Sequence, residues 1–164
     1  MEEKPFNRED YETFLIQAGC VRVGGTYTIS STKDLSPYYI GFRKFGPNSY
    51  AILLDMIGKF IKENISDHRE YQFEGVPYGA TDIGNKISER VGNKRWATMR
   101  KEEIDADTEI DEIYAGPMNP EPGDEIILIE DVLVKANNLS EYVKRNTKRR
   151  LIVKKAVILC NRRE

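Results

Sequence analysis

The chain has 164 residues, enough for one domain with a hydrophobic core of its own. Charged residues make up 32% and apolar residues 40%, the balance of a folded globular protein rather than a disordered one. A net charge of −2 argues against nucleic acid or an anionic membrane as partner, and no apolar run approaches the roughly 20 residues of a membrane span. The start, Met1-Glu2-Glu3-Lys4-Pro5, is polar and has no signal-peptide core, so a cytoplasmic protein is expected. Cys20 and Cys160 make no metal-ligand spacing and are expected as buried free thiols.

In chain order, residues 8–19 read as a short amphipathic helix stopped by Gly19. Val21–Val23, a turn at Gly24-Gly25 and Thr26–Ser30 fit a hairpin. Ser36–Arg43 reads as another strand, with Pro37 near its start, where a missing N–H does least harm. Across 47–63, Tyr50, Ile52, Leu53, Met56, Ile57, Phe60 and Ile61 recur at helical spacing. His68, the only histidine, lies in a polar stretch and is expected in solvent. Then follow a strand over 71–79 running into a Gly/Pro turn, a helix over 80–91 and a strand over 95–99. After an irregular part come a strand over 126–129, a helix over 139–146 and a strand over 151–160. This alternation predicts an α/β fold: a twisted, mainly parallel sheet flanked by helices, with right-handed crossovers. The antiparallel part, about 1–45, is expected as a small subdomain over the sheet edge, and about 46–164 as the α/β core.

The irregular part, 102–125, opens acidic. Ile104, Ala106, Thr108 and Ile110 alternate with acids from Glu103 to Asp111, the period of an extended arm with one charged face. Asp105, Asp107 and Glu109 have part of a calcium loop's spacing. Ile110 stands where that loop needs Gly, and Gly116 where it needs Glu, so a solvated arm or a dimer contact is the better reading.

Chemistry is expected at the turns that follow the strands. Gly75-Val76-Pro77-Tyr78-Gly79 leads into a helix, whose free N–H groups and positive dipole end suit an anion, although many strand-helix turns carry two glycines. Arg100-Lys101 follows the next strand, and alone reads as a solvated pair. Glu130-Asp131 ends the apolar run Ile126–Ile129. Adjacent carboxylates there can hold sugar hydroxyls or a hydrated Mg²⁺, or serve only as partners for a helix dipole. In open parallel sheets this carboxyl edge is where ligands bind.

Taken together and in this order, these segments resemble the type I phosphoribosyltransferases, and among them orotate phosphoribosyltransferase. Ser36-Pro37-Tyr38-Tyr39-Ile40 with Arg43 is similar to the family's substrate hood, and Glu74–Ala80 to its pyrophosphate loop. Arg100-Lys101-Glu102 is similar to the start of its catalytic loop. Ile127–Val132 is similar to its phosphoribosyl pyrophosphate motif, and Asn161–Glu164 to its Asp-Arg-x-Glu segment. The resemblance implies one phosphoribosyltransferase-like domain over 1–164 and a homodimer. It implies that Tyr39, Ile40 and Arg162 line the base pocket, that Tyr78 and Gly79 face pyrophosphate, and that Arg100 and Lys101 hold its charge. Glu130 and Asp131 then hold the ribose hydroxyls, and Lys135, Asn137 and Asn138 face the 5′-phosphate. Mg²⁺ is implied only together with bound phosphoribosyl pyrophosphate (PRPP); no resident metal is expected.

The sequence departs from that pattern at two places. Ile104 and Ala106 stand where the family's closing loop carries Lys and His, so no catalytic residue is assigned. After Asp131 the family's Thr and Gly are replaced by Val134-Lys135-Ala136-Asn137-Asn138. Asn138 with Glu141 offers a capping pair, which would make this a self-capped turn. The chain also ends sooner after Arg162 than the family pattern does. Three functions follow as expectations: a phosphoribosyl or nucleotide binder with weak or lost transferase activity, an active orotate phosphoribosyltransferase, or a non-catalytic partner-binding scaffold.

Overall fold

A computed structural model describes residues 4–28, 35–42, 45–77, 79–93, 95–99, 114–134 and 136–162. The first helix, α1 (Arg8–Gln17), starts at Asn7, whose side chain accepts from the Asp10 amide at 3.0 Å and satisfies one free donor of the first turn. β1 (Val21–Thr28) and β2 (Leu35–Ile40) then form an antiparallel pair. Gly24 and Gly25 do not make the expected turn; they lie inside β1. Val23 pairs with Tyr38 and Tyr27 with Ser36, so the residues between them bulge opposite Pro37. Gly24 takes φ +83°, which glycine allows, and Pro37 has no N–H to withdraw from the ladder. The β1–β2 connection falls in 29–34, outside the described residues.

α2 (Pro47–Asn64) begins with proline, whose fixed φ suits a first helical position. It buries Leu53, Leu54, Ile57 and Ile61 along one stripe. His68 follows, and it is buried rather than solvated, being 8% exposed. Its Nδ1 lies 2.8 Å from the Ile65 carbonyl, and its own carbonyl accepts from Asn93 Nδ2 at 3.1 Å. β3 (Gln72–Gly75), α3 (Thr81–Arg90) and β4 (Trp96–Met99) come next, then a two-residue strand, β5 (Tyr114–Ala115), too short for any periodic signal. β6 (Glu125–Leu133), α4 (Asn137–Lys148) and β7 (Ile152–Asn161) complete the order.

The main sheet runs β5-β4-β3-β6-β7. β4, β3, β6 and β7 are parallel, and β5 is antiparallel to β4. β6 has neighbours on both sides, and Ile126–Ile129 are each at most 1% exposed. Full burial of such side chains contributes about 1.5–3 kcal/mol each. Ile127 and Ile129 pack with Leu53, Ile61, Phe73 and Ile87 beneath α1, α2 and α3; Ile126 and Leu128 pack with Tyr114 and Tyr142 beneath α4. The α/β fold with a mainly parallel, helix-flanked sheet and a small antiparallel pair is therefore the observed one.

This order has a functional consequence. From β3 the chain moves outward to β4, then returns past β3 to β6. Strand order reverses between β3 and β6, and the loops leaving their carboxyl ends diverge there. That is where an open α/β sheet forms a crevice. Among the described residues no helix is long and apolar enough to cross a membrane.

Candidate functional site at the β3–β6 edge

The loop after β3 is held down against β6. The Val76 amide donates to the Ile129 carbonyl at 2.8 Å, extending the ladder one residue past β3. The chain then turns, and the Ala80 amide returns to the Val76 carbonyl at 3.2 Å. A Cβ at Gly79 would lie 2.1 Å from Asp131 Oδ2, so a side chain there would push the carboxylate from its present place. A Cβ at Gly84, in α3, would lie 2.7 Å from the Gly75 amide nitrogen, so glycine there lets the helix start rest on the strand end. Two segments over fifty residues apart in sequence thus converge on Asp131. Its Oδ1 accepts from the Val132 amide at 2.9 Å.

Glu130 and Asp131 lie within β6, not beyond it. Pairing with β7 continues past the apolar run, with Glu130 opposite Ile158 and Leu133 opposite Asn161. Glu130 is 7% exposed, and its Oε2 is buried without a hydrogen-bond partner. Burial first, then the neighbouring charge and hydrogen bonding of Asp131, push its carboxyl up to about 8. A buried carboxyl oxygen without a partner is unusual, and ligand hydroxyls, which both donate and accept, are complementary to it.

The turn after β6 is strained. Ala136 adopts φ 55° and ψ 0°, the left-handed region that costs a side-chain-bearing residue about 1–2 kcal/mol. Ala136 is the N-cap of α4, and no side chain caps that helix. The expected capping pair is thereby overturned: α4 starts two residues earlier than its apolar pattern suggests, so Asn138 lies inside the first turn instead of before it. Asn137 and Asn138 are exposed there, beside free amides at the positive end of the helix dipole.

The predicted base-pocket residues divide between two faces. Arg162 follows β7 and is 7% exposed. Its guanidinium Nη2 donates to Ser36 Oγ, and its Cζ stands 4.3 Å from the centre of the Tyr38 ring. Its amide extends the β6–β7 ladder, donating to the Leu133 carbonyl at 2.8 Å. Ser36 Oγ also donates to the Tyr38 carbonyl at 2.8 Å, so β2 is pinned to the carboxyl end of β7. Strand alternation puts Ile40 on the face of Ser36 and Tyr38 and puts Tyr39 on the other. There Tyr39 is 41% exposed, packs on Tyr27 at 5.8 Å, and lines a cavity of about 170 Å³ with Cys20 and Arg22. Tyr39 and Arg162 are therefore not brought together.

Other groups at this edge carried no sequence signal. A cleft of about 530 Å³ adjoins Gly79 and is lined by Phe42, Phe45, Tyr50, Asp82 and Ile83. Its aromatic walls suit a flat ring, and Tyr50 donates to Asp82 at 2.5 Å. Ser36 and Tyr38 belonged to a recognisable segment, but only the fold supplies their partner, Arg162. Tyr78, Arg100, Lys101, Ile104, Ala106, Lys135 and the acidic stretch 102–112 lie outside the described residues.

No family model matches the chain. It is 28% identical over 150 residues to the orotate phosphoribosyltransferase of Methanocaldococcus jannaschii, covering 92% of this chain and 80% of that protein. It is 24% identical to the orotate phosphoribosyltransferase of Caenorhabditis elegans, covering 98% and 67%. Among solved structures, UMP synthase of Leishmania donovani superposes with a TM-score of 0.74 at 22% identity, over 93% of this chain and 31% of that one. Orotate phosphoribosyltransferase of Aeropyrum pernix superposes with a TM-score of 0.68 at 18% identity, over 93% and 81%. In sequence the chain resembles orotate phosphoribosyltransferases, and its fold is that of the type I phosphoribosyltransferases.

Proposed function

We propose that the β3–β6 edge binds PRPP or a nucleotide, and that transferase turnover there is weak or lost. The observation that carries the binding half is the convergence at Asp131. A side chain at Gly79 would push this carboxylate from its place, and the neighbouring Glu130 holds a buried oxygen without a partner. In this reading Glu130 and Asp131 accept the ribose hydroxyls, while Tyr78 and Gly79 face the diphosphate. Asn137, Asn138 and Lys135 face the 5′-phosphate. Arg162 and Ile40 lie toward the base, with Tyr39 entering only by a change of face. Mg²⁺ arrives on the ligand's own diphosphate oxygens, as part of the substrate. The chain acts as one cytoplasmic domain in a homodimer, with Arg100 or Lys101 reaching across to the partner's site.

The second half rests on charge. The leaving diphosphate is strongly anionic, so stabilising it is the main catalytic requirement. Ile104 and Ala106 offer no cation where the family pattern has two, and the residues around them are acidic. Loss of one well-placed donor typically costs about 10²–10³ in rate. The uncapped start of α4 leaves its first amides free, which bears on phosphate binding and not on turnover.

Calorimetric titration with PRPP and Mg²⁺, paired with a pyrophosphate-release assay containing orotate, tests both halves. The expected result is saturable binding with release about a hundredfold slower than in the M. jannaschii relative measured alongside. No heat at millimolar ligand removes the binding half. Turnover within about tenfold of that relative removes the other.

A further inference from the structure

α4 is held in an unusual way. It has twelve residues, yet only Tyr142 and Asn146 are buried, and both are polar. Its apolar contacts, Leu139 and Val143, are only partly buried. Apolar contact alone lets a helix slide along its axis with little penalty, because one methylene replaces another. Buried hydrogen bonds do not allow this, since a shift of one residue, about 1.5 Å, leaves both partners unsatisfied.

Both buried residues reach outside the helix. The Tyr142 hydroxyl donates to Glu74 Oε1 at 2.8 Å, and Glu74 is 1% exposed in the middle of the sheet. Asn146 Oδ1 accepts from the Tyr114 hydroxyl at 2.9 Å, and Asn146 is fully buried. Within the helix, Asn146 Nδ2 donates to the Tyr142 carbonyl at 3.1 Å, joining the two contacts. The Asn146 carbonyl also accepts from the Leu151 amide at 3.1 Å, at the entry to β7. Glu74 immediately precedes Gly75, where the glycine loop of the site begins. The other end of α4 is the Ala136 turn. Strained backbone of that kind persists only where its surroundings over-determine it, and no capping side chain does so here.

We propose that Tyr142 and Asn146 are positioning residues: bonded to Glu74 and Tyr114, they set the register of α4, and with it the place of the Ala136 turn that follows β6. The register is a property of this chain whatever binds; its consequence for a ligand rests on the phosphoribosyl reading above.

The test uses the full chain and three variants: Tyr142→Phe, Tyr114→Phe and, as a control in the opposite layer, Ile61→Val. Thermal denaturation gauges the stability loss in each. Hydrogen exchange is followed at amides 140–143, the first intrahelical donors of α4, in the free protein. Affinity for PRPP with Mg²⁺ is measured by calorimetry. Each Tyr→Phe change is expected to speed exchange at 140–143 about tenfold and raise Kd about fivefold relative to Ile61→Val after correction for stability. Exchange equal to that of the control overturns the register. Faster exchange with unchanged Kd overturns the positioning role and leaves a structural one. If the unaltered chain does not bind PRPP, the phosphoribosyl reading fails, and exchange alone still decides the register.

Discussion

Glu130 shows what a single residue can reveal about a site. Its ordinary pKa is about 4.3 in an unfolded chain, and burial beside Asp131 raises it to about 8 in the fold. The folded state therefore holds a proton that the unfolded state has released between those values. Stability associated with Glu130 is fully present below about pH 4, falls as pH rises toward 8, and is level above that. Its size is on the order of a few kcal/mol. Urea unfolding from pH 5 to 8 should show a declining midpoint for the native chain and a flatter profile for Glu130→Gln. Equal slopes in the two would mean that Glu130 is not the group that holds this proton. Sequence alone marked Glu130 and Asp131 as a pair, but it treated them alike. Packing separates them: Asp131 lies against a glycine backbone, and Glu130 has a buried oxygen without a partner.

At the scale of elements, most of the order was readable because periodicity and turn residues are local properties. The helical stripe of α2 and the apolar run of β6 needed no tertiary information to be seen. The boundaries of β6 and α4 were missed for the same physical reason. An acidic pair after an apolar run looks like a strand end, yet β7 supplies ladder partners through Leu133, and backbone pairing outlasts the hydrophobic pattern. α4 likewise begins at Asn137 because Ala136 turns left-handed, which nothing in alanine's propensity suggests. That turn carries its own prediction. Ala136→Gly relieves the left-handed Cβ penalty and should stabilise the chain by about 1 kcal/mol in chemical denaturation. A loss of stability would mean that Ala136 is not held left-handed in solution.

For the whole molecule, one scaffold carries both a retained edge and two altered loops, and these separate by experiment. Ile104→Lys with Ala106→His introduces the cations that the family pattern carries at these positions; Val134→Thr with Ala136→Gly introduces its hydroxyl and glycine after Asp131. The turn changes are expected to tighten PRPP binding, because they act on ground-state contacts. The loop changes are expected to raise pyrophosphate release by about 10²-fold, because they act on charge that develops in the transition state. If neither binding nor rate moves, these two departures are not what distinguishes this chain from its relatives.

By itself the sequence established the α/β class and the alternation of strands and helices from β3 onward, β5 apart, and it marked Glu130 and Asp131 as an acidic pair on β6. Spacing and turn chemistry act over a few residues and survive without a fold. Tertiary structure alone decided which distant residues meet. Arg162 reaches Ser36 across 126 positions, and Tyr142 reaches Glu74 across 68. It also decided that Tyr39 faces away from Arg162, that one oxygen of Glu130 is buried without a partner, and that the alanine before α4 is strained. Each of these depends on burial and register between distant segments, and neither quantity exists until the sheet has closed around β6.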